Sequence, residues 1–265
     1  MHPYFAVALP HLFGHRGAAG EAPENTLPSF ERAWAAGLRY LETDCHATRD
    51  GEIVLCHDPS LERITNGQGP ISAHSYAELE KLDAGYHFST DGRSHPFRGT
   101  GVRILRLDEL LQAFPAAHVN LEVKAADAAI AAEVVRRVRR AGAERRMLLA
   151  AEDAQVLDLL RALDPGTALG SSLEDVIAFY SALDSGALAS FTPRGHALQI
   201  PPSAFGRDLV APEVIAAAER LGLFVHVWTI DEPAEMRRLL ERGVHGLMSD
   251  HPARLLEAAR AHAGA

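Results

Sequence analysis

Short apolar runs alternate along the chain with longer segments whose apolar positions recur every three or four residues. The first pattern marks strands buried on both faces, and the second marks amphipathic helices. The strand-like runs are Leu12–His15, Tyr40–Asp44, Val119–Lys124, Met147–Ala151, Ala168–Ser171, Ala197–Ile200, Phe224–Trp228 and Gly246–Ser249. The helical segments fall at about Thr26–Ala36, Ala128–Arg140, Gln155–Leu163, Leu173–Leu183, Pro212–Leu221, Ala234–Glu241 and Ala253–Ala261. Local signals agree with these limits. Thr26 is placed to cap the first helix, Pro28 suits its first turn, and Gly37 and Gly142 close helices.

Strands that alternate with helices predict a parallel sheet. Eight such units in 265 residues predict one closed (βα)8 barrel of TIM type over residues 1–265, a fold that takes roughly 250 residues. The alternative is an open, doubly wound sheet. It is weakened because no G-x-G-x-x-G run follows the first strand. The rhythm breaks between about residues 59 and 106. That stretch carries Asn66-Gly67-Gln68-Gly69-Pro70 and a short helical piece at Ser75–Leu82, and it reads as an insertion after the second strand.

Asp50-Gly51 separates two β-rich runs, a hairpin signal. Taken as a two-residue turn, it sets Cys45 opposite Cys56 and Asp44 opposite His57. Glu42, Asp44 and His57 then share one face. Other charged residues also stand at strand ends: His15 and Arg16 after the first strand, Glu122 and Lys124 at the third. The C-terminal rim is where barrel active sites lie. Each group alone has an ordinary explanation: a solvated strand face, a satisfied core histidine, a structural ion pair. Together on one rim they suggest phosphoryl chemistry. Three carboxylates suit a hard cation, Arg16 and Lys124 suit a phosphate, and two histidines can exchange protons near neutral pH.

Charge and composition narrow the partners. A net charge of −9 disfavours nucleic acid, whose binding rests on Lys and Arg neutralising phosphates. No apolar run nears the ~20 residues that span a bilayer. Met1–Pro10 lacks Lys and Arg and makes a poor signal peptide, so a cytoplasmic location is expected. The two cysteines, Cys45 and Cys56, are expected as free packing thiols.

The motifs His15-Arg16-Gly17, Pro23-Glu24-Asn25-Thr26, Glu42-Thr43-Asp44, His57-Asp58, Leu121-Glu122-Val123-Lys124, Val227-Trp228-Thr229 and Ser249-Asp250-His251-Pro252 run nearly the length of the chain. In kind and order they resemble the glycerophosphodiester phosphodiesterase family. The resemblance implies a TIM barrel with a small insertion after the second strand. It implies a divalent cation, Mg²⁺ or Ca²⁺, on Glu42, Asp44 and Glu122, with His15 and His57 as acid and base. It implies phosphate contacts from Arg16 and Lys124, and hydrolysis of a glycerophosphodiester to glycerol 3-phosphate and an alcohol. The chain departs from the family pattern at Ile104-Leu105-Arg106-Leu107, Ile230-Asp231 and His245, none of them a proposed site residue.

Glu24, Gln199 and Trp228 are further pocket candidates, although helix-dipole compensation or a lone polar strand end explains the first two equally well. His46, His74, His87, His95 and His118 read as surface or loop histidines. Two rival functions remain. One is a lysophospholipase D with an apolar groove from Tyr86, Phe88 and Phe97; the other is a barrel that binds phosphodiesters without cleaving them. A zinc hydrolase is remote, since the expected ligands are all oxygen.

Overall fold

The computed structural model describes residues 1–264. Its strands are β1 (His11–Gly14), β2 (Tyr40–Ala47), β3 (Ile53–Leu55), β4 (His118–Val123), β5 (Met147–Ala150), β6 (Ala168–Leu169), β7 (Ala197–Ile200), β8 (Ser203–Ala204), β9 (Arg207–Asp208), β10 (Phe224–Val227) and β11 (Gly246–Ser249). The α-helices are α1 (Leu27–Ala36), α2 (Tyr76–Leu79), α3 (Leu107–Ala113), α4 (Ala128–Arg140), α5 (Ala154–Ala162), α6 (Leu173–Asp184), α7 (Pro212–Arg220), α8 (Pro233–Glu241) and α9 (Pro252–Ala263).

Eight strands pair in parallel in the order β6-β5-β4-β2-β1-β11-β10-β7. The two ends meet through a bridge between Gly170 and Ala197 and a bond from the His196 N–H to the Leu169 carbonyl at 2.8 Å. The result is the expected barrel. Residues such as Leu41, Val119, Leu121, Leu149, Val225 and Leu247 face the helix layer in one large core. A smaller apolar set, including Tyr4, Phe5, Phe13, Tyr40 and Met248, forms a second cluster. A third core, around Leu61, Ile71, Tyr76, Leu79 and Ile104, belongs to the insertion. No described helix is long and apolar enough to cross a membrane.

Two local expectations change. The hairpin register is one residue off: Cys45 faces Leu55 and Ala47 faces Ile53. Thr48 N–H bonds the Glu52 carbonyl at 2.9 Å, and Gly51 N–H bonds the Thr48 carbonyl at 3.0 Å. The loop is therefore three residues, Arg49-Asp50-Gly51, with Gly51 at φ +81° taking the left-handed position that such loops require. Cys45 and Cys56 are not cross-strand partners, and both are buried free thiols. In addition, α3 follows the insertion and supplies the barrel's helix between β2 and β4.

Candidate active site

Parallel register puts the candidate site residues on one rim. Asp44 on β2 stands beside Glu122 on β4, and Glu42 beside Asn120. His15 and Arg16 follow β1 directly. Glu42 and Asp44 are buried at 5% and 2% exposure inside the strand, where an unpaired charge is costly. His15, Arg16, Glu42, Asp44, His57, Glu122 and Lys124 all line one cavity of about 1160 Å³, together with Gln199 and Trp228. His57 joins the site despite the shifted hairpin register, because it lies beyond β3 where the chain leaves the ladder.

The backbone is forced into rare shapes here. Arg16 and Asn25 take φ of +48° and +57°, in the left-handed region that non-glycine residues seldom occupy. This turn lets the Arg16 N–H donate to Glu42 Oε2 at 3.0 Å. Asn25 donates to Asp44 Oδ2 at 3.3 Å and accepts from Thr43 Oγ1 at 2.7 Å.

Each histidine is held by a carboxylate through Nδ1. His15 meets Asp250 Oδ1 at 2.6 Å, and His57 meets Asp58 Oδ1 at 2.8 Å. Asp250 is itself fixed by Asp231, which accepts from the Asp250 N–H and from Ser249 Oγ, both at 2.9 Å. In both histidines this leaves Nε2 for other partners; His15 Nε2 lies 3.8 Å from Glu42 Oε2. Burial works against protonating His15. The bond to Asp250 and the charges of Glu42 and Asp250 outweigh it and raise its pKa.

The cations are shared. Lys124 Nζ lies 3.0 Å from Asp44 Oδ1 and 2.9 Å from Glu122 Oε1. Arg16 reaches Glu24 Oε1 at 2.9 Å and Asp44 Oδ2 at 3.4 Å. Burial alone would raise the Asp44 pKa, but Lys124 and Arg16 hold it below the usual carboxylate range. Glu42 has only the weaker pull of His15 and Arg16. Burial, then the Asp44 charge, push it up to about 7.

That imbalance bears on the expected metal. Among the described residues no three His, Cys, Asp or Glu side chains form a coordinating cluster. The Lys124 ammonium stands between Asp44 and Glu122 instead. The donor set still suits a hard cation: all its donors are oxygen, and Glu42 is short of positive charge.

Glu24 does not line the cavity. It sits behind Arg16, accepting from it and from both terminal nitrogens of Arg63 at 2.6 and 2.7 Å. Arg63 Nε also donates to Asp58 Oδ2 at 2.5 Å. The sequence motifs contain Asp58 and Asp250 but do not reveal these pairings, and Arg63 lies in the insertion. Gln199 lines the cavity, and its Nε2 has no partner among the described residues. Tyr86, Phe88 and Phe97 do not reach the cavity. Phe88 packs edge-on against Phe97, and Tyr86 lies under Arg98 within the insertion. His46 is half-buried and meets the His57 carbonyl at 3.0 Å, so it supports the site rather than the surface.

Residues 15–254 match the profile of the Glycerophosphoryl diester phosphodiesterase family. The chain belongs to this family. A glycerophosphodiester phosphodiesterase of Caldanaerobacter subterraneus is 27% identical over 94% of this chain and 97% of its own. Lysophospholipase D GDPD1 of Rattus norvegicus is 27% identical over 94% and 86% respectively. An Oleispira antarctica phosphodiesterase solved with the product sn-glycerol-3-phosphate superposes with a TM-score of 0.78, at 26% identity, over 95% of this chain and 97% of that one.

Proposed function

We propose that this family member hydrolyses glycerophosphodiesters to glycerol 3-phosphate and an alcohol, with His15 and His57 moving the protons. The observation that carries this reading is the pair of histidines on one cavity, each tied to a carboxylate through Nδ1. A carboxylate on Nδ1 fixes the ring's orientation and leaves Nε2 free for the substrate.

The glycerol hydroxyl next to the ester is the intramolecular nucleophile in this reading, since proximity alone lowers such barriers by several kcal/mol. One histidine takes its proton and the other protonates the departing alcohol. Water then opens the cyclic phosphate. Arg16 and Lys124 neutralise charge building on the phosphoryl oxygens. Glu42, Asp44 and Glu122 would hold Mg²⁺ or Ca²⁺, which supplies further positive charge there. Lys124, shared by Asp44 and Glu122, would be free to serve the phosphate if a cation took its place on those carboxylates.

The test is turnover of glycerophosphocholine, scored as glycerol 3-phosphate released, with metal, after chelation, and with metal restored. Full activity in excess chelator overturns the metal assignment, and no turnover with either cation overturns the reaction. A 2-deoxyglycerol analogue that reacts as fast as the parent overturns the cyclic route.

A further inference from the structure

The two histidines on the rim are carried unequally. His15 continues β1, and its N–H bonds the Ser249 carbonyl at 3.0 Å, so the barrel ladder itself sets its height. His57 lies two residues past Leu55, the end of the short strand β3. The last ladder bond on that side runs from the Cys56 N–H to the Asp44 carbonyl at 3.0 Å. His57 is also less enclosed, with 38% of its side chain exposed against 15% for His15. Asp58 orients its ring, but Asp58 is the next residue and travels with it. Arg63 holds Asp58 from the insertion, not from the barrel.

One side chain of the barrel reaches this segment. His46 Nε2 lies 3.0 Å from the His57 carbonyl, which accepts from no other group among the described residues. A carbonyl can only accept, so Nε2 carries the proton and His46 donates. That carbonyl belongs to the planar peptide unit that joins His57 to Asp58. One bond therefore fixes both members of the His57–Asp58 pair. The donor stands on firm ground. His46 is on β2, two residues beyond Asp44 and four beyond Glu42, on the face that strand alternation gives all three. Register pairs it with Val54 on β3. His46 does not line the cavity, so it acts behind His57 rather than on a substrate. The Cys56 thiol bonds the Asp58 carbonyl at 3.1 Å, but a thiol is a weak donor.

We infer that His46 is a positioning residue for His57, pinning its main chain to β2 so that His57 Nε2 meets the substrate at a constant height. The inference rests on the proton-transfer role proposed for His57 above. Asp58 occupies Nδ1 of His57 and leaves Nε2 to work. A misplacement of about 1 Å in a reacting group can cost on the order of 10²-fold in rate, so a single lost anchor on an exposed loop is felt in turnover.

The experiment measures glycerophosphocholine turnover, with Mg²⁺ or Ca²⁺ supplied, for His46→Leu and His46→Gln, each alone and combined with His57→Ala. Leucine loses the donor, whereas the glutamine amide keeps an N–H at similar reach. His46→Leu should lower kcat roughly tenfold with KM within about twofold, and His46→Gln should stay within about threefold of the parent. Combined with His57→Ala, His46→Leu should cost nothing further, because the residue it positions is gone. Equal losses in the two variants, or the same tenfold loss without His57, overturn the inference. If His46→Leu does not fold, the ring-nitrogen shifts of the parent decide: a proton on His46 Nε2 is expected, and a proton on Nδ1 alone overturns the bond. Absence of turnover by the parent overturns the proposed reaction instead. The His57 ring resonances then decide the placement. They should shift in His46→Leu and hold in His46→Gln, and resonances that stay fixed in both overturn the inference.

Discussion

The two ends of the barrel both bury polar groups, and they do so in opposite ways. The C-terminal rim keeps its groups charged by setting Lys124 and Arg16 against Asp44, Glu122 and Glu24. At the other end, the strands begin with His11, Tyr40, His118 and Phe224, and the turn Pro3–Phe5 packs beneath them. There the groups are neutral. His11 Nδ1 meets His226 Nε2 at 3.3 Å, a bond that needs at least one ring to lack a proton, and Phe5 stacks on Phe224 at 4.1 Å. Burial lowers His11 to about 4, against the Val7 carbonyl bond that raises it, and burial lowers His226 well below its ordinary value. The lesson is that the rim pairs its buried charges with one another, while the base uses polar rings as packing material.

The sharpest test of this contrast is to remove the two histidines proposed to carry protons. His15→Ala and His57→Ala should each lower turnover by roughly 10²–10⁴-fold while the melting temperature barely moves. A large loss of stability in both would mean that the rim, like the base, serves the fold.

Acid should then reveal the base. His11 has a folded pKa below its unfolded value, so its contribution is fully present above pH ~6.5 and is lost as pH falls toward ~4. The shift corresponds to about 3 kcal/mol, an order-of-magnitude figure. Urea melts of the wild type and His11→Phe at pH 7 and pH 4.5 should show a shallower acid loss in the variant. Parallel losses would refute the assignment.

Arg63→Gln should slow turnover about tenfold, in line with removing an outer partner of an oriented histidine. Arg63 reaches both Glu24 and Asp58, so both KM and kcat should change. In an Asp58→Asn background the kcat component should disappear, and an undiminished effect there would place Arg63 outside this chain of contacts.

The smallest expected effect concerns the crowded carboxylates. Glu42→Gln removes one charge from a buried, repelling pair and should raise the melting temperature by a few degrees in chelator. Activity should fall at the same time. A lower melting temperature would show that the Glu42 charge supports the fold.

The sequence carried the barrel well because its strands are short, apolar and regularly spaced, and because Gly37, Gly142 and the helix-starting prolines punctuate it. Leu107, Leu110 and Leu111 also keep helical spacing, yet seven residues are too few to separate α3 from the insertion's tail. Asp50-Gly51 announces a turn but not whether Arg49 belongs to it, and that single residue decides the register. The rim residues were legible from charge inside apolar strands. The pairing of His15 with Asp250 was not, since 235 positions separate them. Nor was the apolar side of the cavity, because Leu173, Val176, Ile177 and Tyr180, which line it, have the spacing of an ordinary core face. His118 looks like a surface residue in sequence, but it packs against Tyr40 at 4.8 Å.

The barrel's closure is its thinnest join. β6 has two residues, two registered pairs link it to β5, and one bridge links its end to β7. The residues proposed to handle the phosphate lie on β2 and β4 and just beyond β1, β3 and β4, outside this seam, while α6 and the β8–β9 hairpin hang directly from it. The chain is therefore divided like a tool with a fixed blade and an exchangeable handle. Recombination between relatives with crossovers on either side of residues 168–211 should therefore exchange β6, β7, α6 and the β8–β9 hairpin as one piece, while β1, β2 and β4 and the rim residues they position stay in place.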